Sequence, residues 1–246
     1  MLPGARIEDL PVKGVFRLRG LDMTRLETFT DAAFAFALTL LVISLEPPTS
    51  AVDLRAALRE IPAFVVSGSL LMMFWWAHHE WSRRFGLEDG VTVVLTCVLV
   101  FTVLIYVVPL RFMFGLFFVW IAWLTGLPIG SPEISLDGPG DVNTMFAVYG
   151  FGFMSMAGSV VLLNLHAWRL RGRLELSPAE AFETLSEAGV WAILAATGAL
   201  SALLALVLPA SVVGLPGWAY MLLPVVMPLY ASRMNARRER LHGGSA

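Results

Sequence analysis

Six apolar runs, each about as long as a bilayer is thick, dominate this sequence. They fall at about 26–45, 61–82, 91–110, 144–168, 189–208 and 216–232. A hydrocarbon core of about 30 Å takes about 20 apolar residues of helix to cross. In lipid, only helices and closed barrels satisfy their own backbone polar groups. The chain therefore reads as an all-α, polytopic membrane protein with six transmembrane helices. Composition agrees, with 57% of the 246 residues hydrophobic and 15% charged, where a soluble domain carries about 25% charged. This excludes a disordered chain, a nucleic-acid-binding domain and an ordinary cytosolic globule. The formal net charge of −2 points to no polyanionic partner, and Cys97 is the single cysteine, so one chain forms neither a disulfide framework nor a cysteine-based metal site. Residues 1–20 lack the apolar core of a signal peptide, so nothing there reads as cleavable.

Charge orients the spans. Fourteen of the 17 basic residues fall in the N-terminal segment, the second-to-third loop, the fourth-to-fifth loop and the C-terminal tail. Six spans with both termini inside place all fourteen in the cytoplasm, as the positive-inside rule expects. An extra apolar piece, 112–127, would make a seventh span and move seven of those arginines outside. It reads instead as an outward extension of the third helix or as an interfacial helix, with Trp120 and Trp123 near the headgroups. The segment 53–62 reads as a short amphipathic helix ending at Pro62, and 128–141 as a Gly/Pro-rich loop. SPAE at 177–180 marks a helix N-terminus, and Pro224 and Pro228 predict a bent sixth span. The chain divides into a cytoplasmic segment 1–24, a six-helix domain 25–232 and a basic tail 233–246.

Polar residues at depth are the informative ones. RLETFTDAAFAFALTLLV opens the first span with Arg25, Glu27, Thr28, Thr30 and Asp31, followed by alanines that allow close helix approach. Phe36, Leu40 and Ile43 recur at i, i+4 and i+7 on one face. A plain core helix with a snorkelling polar end is the alternative. FWWAHHEWSRRF (74–85) places His78, His79 and Glu80 after a Trp pair. Adjacent histidines point about 100° apart and cannot share a metal as i, i+4 residues do, so no metal site is expected. The segment reads either as an interfacial Trp/Arg anchor or as a helix whose histidine reaches Asp31. Tyr149, Asn164 and His166 in the fourth span read as interhelical hydrogen-bonding groups. Motifs for nucleotide binding, zinc hydrolysis or a nucleophile elbow are missing, as is a TVGYG carbonyl filter, and the chain does not read as an enzyme.

The first-span stretch resembles the signature of the transmembrane protein 175 family, endosomal/lysosomal-type potassium channels with bacterial members. That signature has Arg, three residues, then Phe-Ser-Asp and an Ala-rich helix ending Thr-Leu-Leu-Val. Arg25, Phe29, Thr30 and Asp31 match it, with Thr in place of Ser, as do Thr39 to Val42. WWAHHEW resembles the second-helix pattern of the family, and Pro109 and Tyr149 also fit. The resemblance implies a homotetramer whose first helices line a central pore. It implies constrictions at Phe36, Leu40 and Ile43, a selectivity-linked hydroxyl at Thr39, and a structural network of Arg25, Phe29, Thr30, Asp31, His78 and His79. Phe36 departs from the usual Ile at the first ring.

On this reading the protein is a passive potassium-conducting cation channel of the prokaryotic plasma membrane. Its neck is hydrophobic, without a carbonyl filter. Potassium is the expected permeant species, with other monovalent cations as further candidates, no cofactor is expected, and lipid and further copies of the chain are the partners. Asp31 is expected to pair with Arg25 or a second-span histidine. The alternative is a proton-coupled ion transporter that uses Asp31 and a second-helix histidine as a relay.

Overall fold

The computed structural model describes residues 9–43, 48–130, 136, 138–209, 211–212 and 214–243. Arg6, residues 131–135 and 137 of the 128–141 loop and the side chain of Ile43 lie outside the described residues. A hairpin of two very short antiparallel strands, β1 (Val12–Lys13) and β2 (Phe16–Arg17), precedes the helices. These are α1 (Arg25–Ile43), α2 (Ala51–Phe85), α3 (Gly90–Thr125), α4 (Pro139–Arg169) and α5 (Pro178–Val207). A single-turn α6 (Leu215–Trp218), a 3-10 turn (Ala219–Leu222) and α7 (Leu223–Gly243) complete the order.

Helices α2 to α5 are each long and apolar enough to cross a membrane. Helix α1 holds Arg25, Glu27 and Asp31 in its first seven positions, and α7 ends in arginines. Length and hydropathy alone therefore do not mark those two as spans.

Three local expectations are corrected or sharpened. Residues 53–62 do not form a separate helix. They are the first turns of the 35-residue α2, which starts at the Ser50 cap and passes through Pro62. A proline removes only its own N–H, here the donor to the Leu58 carbonyl, and the ladder continues on both sides. Residues 112–127 do extend the third helix. Helix α3 runs unbroken through Pro109 until Gly126 caps it in the left-handed conformation. An ion pair between Arg111 and Glu60 at 2.5 Å ties α3 to α2 there. The sixth apolar run is broken rather than bent, because the 3-10 turn precedes Leu223 and Pro224 starts α7.

The Ser177–Glu180 capping box forms as SPAE predicts. Helices α4 and α5 pack along most of their length and cross at a glycine pair. A Cβ on Gly150 would stand 2.6 Å from the Gly198 carbonyl, and one on Gly198 2.9 Å from the Gly150 carbonyl. Only glycine lets these two backbones touch. The main core gathers Phe34, Phe74, Leu99, Tyr106, Met156 and Trp191 from five helices. A second cluster, with Phe16, Trp81, Phe85 and Leu163, lies under the hairpin.

Residues 16–20 are anchored to the helices. Arg19 and Gly20 donate backbone bonds to the carbonyls of Arg84 and Arg83. The Arg19 guanidinium, 2% exposed, meets the fully buried Glu180 carboxylate at 2.9 and 3.3 Å. It also donates to the carbonyls of Leu174 at 2.8 Å and Arg17 at 2.9 Å. Burial of an ion pair is tolerable when further hydrogen bonds satisfy both partners. Here the amides of Arg17 and Ser177 complete the carboxylate. The hairpin is thereby pinned to the start of α5 and the end of α2.

Candidate functional site

Helix α1 has two unlike faces. Glu27, Thr30, Phe34, Ala37 and Leu41 are buried, spaced alternately three and four apart, and they face the other helices of the chain. At about 100° per residue, Ala32, Phe36 and Thr39 project roughly opposite. All three are exposed, with Phe36 at 55%. Leu40 lies at the edge of this stripe, half-buried, and packs against the main core. Ile43 ends the helix. The Thr39 hydroxyl donates to the carbonyls of Phe36 at 2.7 Å and Ala35 at 3.1 Å.

The polar start of α1 is anchored differently from the expectation. Asp31 Oδ1 accepts the Trp75 indole N–H at 2.7 Å. It does not pair with Arg25, which is exposed and has no side-chain bond or ion pair among the described residues. Nor does it bond a histidine. His78 is buried and its Nε2 meets Thr96 Oγ1 on α3 at 3.0 Å. His79 stacks on the Trp75 ring at 5.4 Å and 21°. The reason is helical direction. Trp75 and His79, four apart, share one face, and His78 is turned away toward α3. Residue 79 thus supports the donor to Asp31, and residue 78 fixes α2 to α3.

Thr30 is fully buried and returns its hydroxyl to the Leu26 carbonyl at 2.8 Å. Phe29 is 51% exposed. Glu80 binds Lys13 at 2.6 Å and Arg84 at 3.6 Å. The histidine pair and this carboxylate therefore serve three separate contacts.

In α4, His166 Nε2 lies 2.8 and 3.0 Å from the two Asp89 oxygens, joining α4 to the N-cap of α3. This is the interhelical role expected of it. Asn164 instead donates to the Val160 carbonyl of its own helix. Tyr149 gives its carbonyl to the Tyr106 hydroxyl at 2.7 Å. Burial raises the Asp89 carboxyl, but the Thr92 amide and His166 outweigh it and hold Asp89 below its usual value.

Trp75, Thr96, Asp89 and the Arg19–Glu180 pair were not singled out by their sequence context. For Trp75 a signal was present. An indole N–H is donor only and seeks a partner when buried, and Asp31 is the intramembrane acceptor in need of one.

Residues 25–109, which span α1, α2 and most of α3, match the family model described as the endosomal/lysosomal potassium channel TMEM175. A curated potassium channel from Marivirga tractuosa is 29% identical over 234 residues, covering 92% of this chain and 93% of that protein. Among solved structures, the fold is similar to the potassium channel MtTMEM175, crystallised as a threonine-to-alanine variant with a nanobody–MBP fusion protein. The TM-score is 0.80 and the identity 26%, over 93% of this chain and all of that one.

Proposed function

We propose that this chain is a member of the family of the endosomal/lysosomal potassium channel TMEM175, which its similarities support, and a passive potassium-conducting cation channel. Four copies surround the axis, each with six spans and both termini in the cytoplasm of a prokaryotic cell. One observation carries the reading. Helix α1 turns one face to its own chain and leaves the opposite one, with Ala32, Phe36 and Thr39, uncovered. A pore helix needs this division, with one side for its subunit and one for the axis.

Rings of Phe36 and Ile43, with Leu40 at the edge of the stripe, form a hydrophobic neck that gates by dewetting or side-chain rotation. The aromatic faces of Phe36 attract a cation electrostatically, and Thr39 offers hydroxyl oxygens beside them. Asp31 holds the helix through Trp75 and does not coordinate the ion. The relay reading loses support because Asp31 bonds an indole and His78 a threonine hydroxyl, so among the described residues Asp31 has no imidazole partner to pass a proton to.

The test is flux from potassium-loaded liposomes containing the purified protein. Efflux down the potassium gradient, with no imposed proton gradient, is expected. Flux that appears only with a proton gradient would establish the transporter instead.

A further inference from the structure

Away from the α1 face, a cavity of about 780 Å³ opens between the hairpin, α2, α5 and α7. Its two ends differ. The mouth carries Lys13, Glu80, Arg84, Glu183 and Glu187, and the inner wall is built from Met73, Val190, Trp191, Leu194 and Met227. From Arg84 back to Met73 on α2, and from Glu183 on to Leu194 on α5, the lining descends eleven residues. At 1.5 Å per residue that is about 16 Å, or about half of a 30 Å hydrocarbon core. The cavity therefore runs from a charged membrane face to the bilayer midplane, the depth of one leaflet.

The mouth selects by charge. Lys13 pairs with Glu80, Arg84 with Glu187, and Arg238 with Glu183. Every cation is matched, so an anionic headgroup gains no net attraction. A dipolar headgroup finds both signs. Lys13, 58% exposed, keeps ammonium N–H groups turned to solvent beyond its bond to Glu80. Glu187 commits Oε2 to Arg84 and keeps Oε1 available as an acceptor.

We infer that this cavity holds one phospholipid of the leaflet beside the hairpin, with a headgroup that bears both a phosphate and a primary ammonium. An acyl chain lies against Trp191 and Leu194, the phosphate meets Lys13, and the ammonium donates to Glu187. The inference rests on α2 and α5 crossing the membrane, not on conduction. A protein that binds lipid but passes no potassium would overturn the channel reading alone.

The experiment is native mass spectrometry of the full-length protein with added phosphatidylethanolamine or phosphatidylglycerol of identical chains. Phosphatidylethanolamine is expected to be retained at least tenfold over phosphatidylglycerol. Val190→Trp, which fills the inner cavity, should abolish retention, and Leu203→Trp on the exposed side of α5 should leave it unchanged. Equal retention of the two lipids, or full retention by Val190→Trp, overturns the inference. Should Val190→Trp fail to fold, Lys13→Ala decides. Retention several-fold lower supports the site, and unaltered retention overturns it.

Discussion

The indole of Trp75 donates to the carboxylate of Asp31 at 2.7 Å, and this bond joins the polar start of α1 to the last third of α2. Stacking of His79 on the same ring holds the indole in the direction that Asp31 needs.

Trp75→Phe keeps most of the apolar area and removes the donor. A hydrogen bond to a charged group contributes about 1.5–3 kcal/mol, so the thermal midpoint of the purified protein should fall by a corresponding amount. Asp31→Asn retains an acceptor and should cost less. Equal midpoints for wild type and Trp75→Phe would remove this bond from the account of α1.

The two faces of α1 should answer oppositely to truncation. Phe36→Ala, on the uncovered face, should raise potassium efflux from liposomes with little change in stability. Leu41→Ala, on the buried face, should destabilise by about 2–5 kcal/mol. An unchanged flux in Phe36→Ala would take Phe36 out of the ion path.

Arg19→Ala leaves the buried Glu180 carboxylate without its cation. Breaking a buried pair in this way costs about 3–5 kcal/mol, readable as a large drop in midpoint and faster proteolysis of the N-terminal segment. Arg19→Lys should recover only part, because an ammonium cannot reproduce a planar fork that serves a carboxylate and the carbonyls of Arg17, Leu174 and Glu175 at once.

Asp89 gives a pH prediction. Its folded value is depressed from 3.8, so its contribution is fully present above the ordinary carboxylate range. That contribution is lost as pH falls through the depressed value. Asp89→Asn should flatten the acid limb of a stability-against-pH curve and leave stability at higher pH without that dependence. An acid limb identical to wild type would show that the Asp89–His166 contact carries no proton linkage.

Much of this architecture is legible in the residues, and the illegible parts share one cause. Hydropathy locates the helices, and the Ser177–Glu180 cap is read correctly because capping is local chemistry. The extent of α2 through Pro62 is not, since a proline interrupts a pattern more than it interrupts a long helix fixed at both ends. Asp31 is recognisable as a residue in need of a partner. Its partner is not, because the choice between Trp75 and the histidines depends on how α2 is rotated against α1. Leu40 shows the same limit. Periodicity groups it with Phe36, and only the packing of neighbouring helices decides that it leans toward the core. Arg19 and Glu180 stand 161 residues apart, beyond the reach of any local pattern.

That separation also sets a clock on biogenesis. The hairpin emerges from the ribosome first, yet its anchor is finished only when Glu180 has been synthesised and α5 has begun to insert. Until then the start of α1 is tied to α2, through Arg19, Gly20 and Asp31. The start of the fifth helix thus completes the anchoring of the first, and a nascent chain truncated before residue 180 should expose its N-terminal segment to protease while its earlier helices are already in the membrane.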